Sequence, residues 1–170
     1  FCDLRGARLP NEAEWEYAAR GPDSLIFPWG DEFDGTLLNF CDVNCYFVAD
    51  ETIDDGYEGA APVGSYEGGV SWVGAVDLNG NLWEWASTIY GVEPHHDYAL
   101  RGEDDDVLFR YPYDPADGRE DYLEDATVVR VLRGGSWGDN EPIIRAAIRN
   151  WGYPDEGFSH TGFRCARDYE

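Results

Sequence analysis

The stretch Asp77-Leu-Asn-Gly-Asn-Leu-Trp-Glu-Trp85 sets two carboxylates, two amides, a glycine and two tryptophans within nine positions. Such a stretch reads as a turn built around a hard cation. Asp77 and Glu84 supply carboxylate oxygens, Gly80 permits a tight or left-handed backbone, and carbonyls of the turn can complete a calcium shell of about six to eight oxygens. The plainer alternative is a solvated Asn-Gly hairpin turn between two strands. Trp83 and Trp85 argue against that alternative, because two large aromatic side chains beside the turn anchor it to a core.

Around this stretch stand five further ordered segments. The first is Arg8-Leu-Pro-Asn-Glu-Ala-Glu-Trp-Glu-Tyr-Ala-Ala-Arg20, in which Leu9 to Arg20 reads as the clearest helix: Asn11 can cap the free amides, Glu14 follows three residues later as in a capping box, and Gly21-Pro22 stops it. Trp15 shares a face with Ala18 or Ala19, which is core spacing. Pro28-Trp-Gly30, Ala61-Pro-Val-Gly64, Arg133-Gly-Gly-Ser-Trp137 and Gly162-Phe-Arg-Cys165 complete the series. Val128 to Trp137 reads as a strand ending in a turn, and Gly162 to Ala166 as a final strand. With the central turn, these segments resemble the formylglycine-generating enzyme and sulfatase-modifying-factor domains. The resemblance implies an α+β fold, the formylglycine-generating-enzyme-like variant of the C-type lectin fold, with little regular secondary structure and long loops. It also implies one domain over residues 1–170 that lacks an N-terminal segment usual in the family.

The same resemblance implies two calcium sites. The first would take the side chain of Asn39, the carbonyl of Phe40, the side chain of Asp55 and the carbonyl of Tyr57, with Gly56 letting successive oxygens turn toward one ion. The second would take Asp77 and Glu84 through their side chains and Gly80 and Leu82 through their carbonyls. Family positions matching Cys2 and Cys165 are bridged, which would close most of the chain into one loop. Cys41 and Cys45 stand four apart, close enough for a local bridge or, alternatively, half of a zinc site. Two disulfides imply an oxidising compartment, hence an extracellular or cell-surface location.

Twelve basic against 35 acidic side chains give a formal charge of −23, which repels phosphate backbones and excludes nucleic acid as a partner class. No run of about 20 apolar residues exists to span a membrane. Residues 91 to 128 form a long loop with His95, His96 and the acidic run Glu103 to Asp106. The adjacent histidines read as solvent-exposed rather than metal-ligating, since no partner lies at a strong ligand spacing.

Catalysis turns on the stretch after Gly134-Gly-Ser136. The formylglycine-generating oxidases carry two copper-binding cysteines there, whereas this chain has Gly138-Asp-Asn-Glu-Pro-Ile-Ile144. Soft Cu(I) requires thiolates, and Asp139 or Glu141 are hard ligands of the wrong class. The three-histidine iron site of the ergothioneine-type branch sits on a helical domain not found in this sequence. Ser136 has no histidine or lysine in a recognisable motif with it, so it reads as a structural serine of the turn. Neither copper nor iron is expected.

The expected ligand face is the loop between Gly134 and Gly162, populated by Trp137, Asp139, Asn140, Glu141, Asn150, Trp151, Tyr153, Phe158 and His160. Flat rings beside amides and carboxylates suit a sugar or a peptide side chain. The leading expectation is therefore a non-catalytic, calcium-stabilised extracellular module that binds a protein or carbohydrate ligand or assembles with itself. The alternatives are a structural subunit of a surface assembly, and a metal-dependent oxidase related to formylglycine-generating enzyme.

Overall fold

The computed structural model describes residues 1–45, 50–92, 109, 112–121 and 128–168. The histidine pair at 95 and 96 and the acidic run 103–106 lie outside the described residues. Helix α1 spans Glu12–Arg20 and is capped as its sequence predicts. The Asn11 side chain accepts from the Glu14 N–H at 2.8 Å, and the Glu14 carboxylate accepts from the Asn11 N–H at 2.9 Å. Gly21 ends the helix at φ 64°, a left-handed value that glycine adopts without steric cost. Replacing Asn11 by alanine removes one partner of this reciprocal pair and is expected to cost about 1 kcal/mol in urea denaturation. An unchanged midpoint would show that water caps the helix equally well.

Among the described residues four strands form one sheet: β1 is Trp83–Val92, β2 Val128–Arg133, β3 Arg149–Gly152 and β4 Thr161–Gly162, in the order β3-β2-β1-β4. β1 pairs antiparallel with β2, setting Glu84 opposite Arg133 and Trp85 opposite Leu132, and parallel with β4. β2 pairs antiparallel with β3, setting Val131 opposite Trp151. The final strand expected from Gly162 to Ala166 is shorter than its pattern suggests. Pairing with β1 stops at Gly162, and the chain then leaves the sheet to meet the N-terminal segment through a single bridge between Ala166 and Arg8.

The core lies between α1, the sheet and the loops. One cluster joins Trp15 and Ala19 of α1 to Leu78 and Ala146, and a second joins Phe27, Leu38, Phe40 and Ile144. Leu78 belongs to the central turn and ties it to this cluster, while of the two tryptophans expected to anchor the turn Trp83 is buried and Trp85 half-buried. The turn also touches the Gly-Gly-Ser segment directly. A Cβ at Gly134 would lie 2.5 Å from the Leu78 carbonyl oxygen, and Gly134 holds φ 96°, so only glycine permits this approach.

All four cysteines are bridged, Cys2 to Cys165 and Cys41 to Cys45. The first bridge is the one the family resemblance implies. The second resolves the open reading of the Cys41 and Cys45 pair in favour of a local disulfide, which removes both thiolates from any zinc site.

Candidate functional site

Three segments far apart in sequence meet at Asn81, which takes a left-handed backbone conformation at φ 60°. Its N–H donates to the Asn39 carbonyl at 2.8 Å, and its own carbonyl accepts from the Trp137 N–H at 2.9 Å. Its side-chain oxygen accepts from the Asn39 amide at 3.2 Å and from the Ala61 N–H at 2.9 Å. Gly80 completes the junction by donating to the Gly134 carbonyl at 2.9 Å. A Cβ at Gly80 would lie 2.2 Å from the Asn39 carbonyl oxygen, which explains the glycine of the Asn-Gly-Asn sequence. The three motifs are therefore one hydrogen-bonded hub.

On the Asn39 side of the hub the expected residues of the first calcium site come together. Asp55 accepts from the Phe40 N–H at 3.0 Å and from the Tyr57 N–H at 2.9 Å. Tyr66 donates its hydroxyl to the Asp55 carbonyl at 3.1 Å. Asn39 is 1% exposed and spends its amide N–H groups on Gly59 and Asn81, while its side-chain oxygen is buried with no hydrogen-bond partner. An orphaned amide oxygen in a buried position costs free energy unless a donor or a cation meets it. Burial raises the Asp55 pKa above its ordinary value against the lowering by its two backbone N–H bonds, and the charge of Asp42 adds to the rise. Hard oxygens, an orphaned acceptor and a carboxylate penalised for lack of a counter-charge fit a calcium ion.

The second set is arranged differently. Both oxygens of Glu84 are bonded within the protein: Trp15 Nε1 donates at 2.8 Å, and Arg164 forks onto the carboxylate at 2.5 and 2.6 Å. Arg164 also donates to the carbonyls of Val76 and Asp77. The Asp77 carboxylate accepts from the Gly64 N–H at 2.7 Å, tying the Ala61 to Gly64 motif to the turn. An ion here would share the Glu84 carboxylate with an arginine.

The residues expected on the ligand face fall into three groups. Trp137, Asp139, Asn140 and Glu141 lie next to the hub. Asn140 and Glu141 line a small cavity of about 180 Å³ with Phe33, Phe40, Asp50 and Pro142. Trp137 is half-buried, and its indole nitrogen has no hydrogen-bond partner. Trp151 follows Asn150 on β3 and meets Tyr153 edge-on, with ring centroids 5.8 Å apart. Phe158 stacks on His160 at 5.4 Å just before β4. Because β3 and β4 are opposite edges of the sheet, the last two groups are separated by β2 and β1. Asp139 itself shapes the turn, accepting from both the N–H and the hydroxyl of Ser136 at 2.9 and 2.6 Å, which accounts for Ser136 as a structural residue.

A larger cavity of about 550 Å³ lies elsewhere, among Phe1, Leu9, Trp85, Glu120, Arg130 and Phe163. Glu120 there accepts hydroxyl bonds from Ser87, Thr88 and Tyr113. Burial and the bond to Glu120 push the Tyr113 hydroxyl pKa up. Nothing in the spacing of these residues marks them in the sequence, since Glu120 lies more than 30 positions from Ser87 and Thr88.

A short curled sheet, one docked helix and long loops crossing at a glycine- and tryptophan-rich hub define the formylglycine-generating-enzyme-like variant of the C-type lectin fold. The structure of PvdO from Pseudomonas aeruginosa is similar, with a TM-score of 0.62 and 26% sequence identity over 96% of this chain and 53% of that one. The chain belongs to the sulfatase-modifying factor enzyme 1-like domain family, whose model matches residues 1–169. It is 32% identical to mouse formylglycine-generating enzyme, over 99% of this chain and 41% of that protein. It is 31% identical to mouse inactive C-alpha-formylglycine-generating enzyme 2, over 98% of this chain and 44% of that protein. The chain thus spans less than half the length of these two relatives. Among the described residues no helix is long and apolar enough to cross a membrane. The two disulfides belong to a protein of an oxidising compartment.

Proposed function

We propose that this chain is a non-catalytic, calcium-stabilised extracellular module for binding or assembly, with its ligand face on the loop between Gly134 and Gly162. The observation that carries this reading is the physical continuity between the first calcium set and that loop. The segment Asn39-Phe40-Cys41 supplies two of the proposed ligands and is also bonded to the loop, through Asn81 to Trp137 and directly through the Cys41 N–H to the Asp139 carbonyl at 3.0 Å. An ion holding Asn39 and Phe40 in place therefore holds the start of the face in place. Trp137 and Trp151 supply flat apolar rings, and Asn140, Glu141 and Asn150 supply polar neighbours, for a protein or carbohydrate ligand.

The non-catalytic part of the reading is supported by the cysteines. The oxidases of the family use two thiolates after the Gly-Gly-Ser turn, whereas Gly138 to Ile144 contains none and all four cysteines of this chain are bridged elsewhere. These residues do not fit a copper ion. One relative in the family is itself named as inactive, which accords with this reading. The second calcium set is proposed as the weaker, because Arg164 already compensates Glu84.

Elemental mass spectrometry of the native protein tests this reading. About two calcium ions per chain, without copper or iron, are expected. Calcium is also expected to raise thermal stability, by about 2.7 kcal/mol at a concentration a hundred times the dissociation constant. Amide exchange at Cys41 and Trp137 should slow as calcium binds. Copper or iron retained stoichiometrically would overturn the reading in favour of an oxidase, and failure to bind calcium would remove its metal.

A further inference from the structure

Beside the first calcium set lies a carboxylate that the family correspondence does not include. Asp42 is 1% exposed. Its Oδ2 accepts from the Asp55 N–H at 2.5 Å, and its Oδ1 accepts from the Asn44 N–H at 2.8 Å. Asn44 in turn donates its side-chain amide to Asp54 at 2.9 Å, and Asp54 accepts from the Gly56 N–H at 3.0 Å. A buried carboxylate, Asp42, and a half-buried one, Asp55, thus lie in direct succession. Neither forms an ion pair with a basic side chain among the described residues, and the orphaned Asn39 oxygen belongs to the segment whose Phe40 N–H bonds to Asp55. Two neighbouring like charges with no basic partner among the described residues repel one another, and a cation from solution would offset that repulsion.

The position of Asp42 is fixed covalently. It lies inside the Cys41–Cys45 bridge, whose sequence separation is 4, against 163 for the other bridge. Closing so short a loop restricts the unfolded chain little, so the bridge contributes little to stability through chain entropy. Its effect is local: it forces residues 41 to 45 into one turn that aims both Asp42 oxygens at backbone amides, one of them that of Asp55. Cys41 itself carries the N–H that bonds to Asp139 in the proposed ligand loop.

We infer that Asp42 is a positioning and charge-setting residue of the first calcium site, and that the Cys41–Cys45 bridge serves to hold it there. The inference rests on the calcium reading above and adds to it a residue and a covalent clamp. Asp42 orients Asp55 through its backbone amide and adds a second negative charge to the site. The bridge makes residues 41 to 45 a fixed wall of the site and links that wall to the ligand loop.

Calcium titration by calorimetry on the wild-type chain, Asp42→Asn, the double variant Cys41→Ser with Cys45→Ser, and Asp55→Asn tests this. Asp42→Asn and the double serine variant are each expected to weaken one calcium site by roughly 10–100-fold and leave the other unchanged, the range seen when groups that orient metal ligands are removed. Their near-ultraviolet spectra should match wild type in saturating calcium, which a general loss of structure would not allow. If both variants bind calcium as tightly as wild type while Asp55→Asn loses a site, Asp42 and the bridge play no part and the calcium reading stands. If wild type binds no calcium, or Asp55→Asn keeps every site, the calcium reading itself falls and this inference with it. Should the double serine variant fail to fold, Asp42→Asn alone still decides the role of Asp42.

Discussion

Replacing Glu12 by glutamine is expected to remove about 3–5 kcal/mol of folding stability, the penalty typical of breaking a buried ion pair from one side. Glu12 is fully buried at the first turn of α1, and Arg149 of β3 forks onto it at 2.5 and 2.8 Å. Arg133 of β2, also fully buried, approaches the same carboxylate at 3.7 Å and pairs with Glu16 at 2.5 Å. Both guanidiniums lie over aromatic rings, Arg133 over Trp15 and Arg149 over Tyr90. The network therefore ties the helix to two strands around the fully buried Glu12 and Arg133 side chains. Glutamine preserves the shape but removes the charge onto which Arg149 forks. Domains of this size have about 5–15 kcal/mol to lose, so the variant should give up a large share of its stability. Urea denaturation in saturating calcium checks this, with Glu141→Gln as the exposed control. Glu141 pairs with Arg145 in an exposed i,i+4 geometry, and its loss should cost less than about 1 kcal/mol. Equal effects at the two positions would mean that water reaches Glu12.

None of that network is legible in the sequence. Glu12 reads as an ordinary acidic residue of a helix N-terminus, and its partner lies 137 positions away. What the sequence does reveal is chemistry compressed into short spans. The Asp77 to Trp85 turn, the capping box of α1 and the Gly-Gly-Ser segment each place their diagnostic residues within a dozen positions, so local physics and family resemblance point to the same structures. Strand β1 was not legible beyond the turn. Its middle, Ala86-Ser87-Thr88, lacks an apolar alternation because it is central in the sheet, with Ala86 and Thr88 both fully buried and the register to β2 broken between Trp85 and Ile89. Thr88 is tolerated there because its hydroxyl accepts from the Glu12 N–H and donates to Glu120. Asp42 was missed for a related reason. It stands 13 positions from Asp55, and only the fold brings the Asp55 N–H onto its carboxylate.

The disulfides provide the second large effect and a way to separate its causes. Replacing Cys2 and Cys165 by serine opens a loop of 163 residues, which the chain-entropy model values at about 5 kcal/mol, whereas opening the Cys41–Cys45 loop of 4 should cost only about 2. For a chain of this size the first loss corresponds to a fall in Tm on the order of 10–20 °C. The native contacts that join the two ends of the chain do not depend on the bridge. Arg8 and Ala166 exchange backbone hydrogen bonds at 2.9 and 2.8 Å, Arg8 pairs with Asp168 at 2.5 Å, and Phe1 meets Phe163 edge-on. The variant should therefore keep a native spectrum below its lowered transition while its unfolded state gains freedom. Scanning calorimetry of both serine pairs, each at saturating calcium, decides the matter. A far larger loss for the long bridge supports loop closure as the source of its stability. Similar losses for the two would show that each bridge acts through the native structure around it, which for Cys41 and Cys45 is the wall of the calcium site.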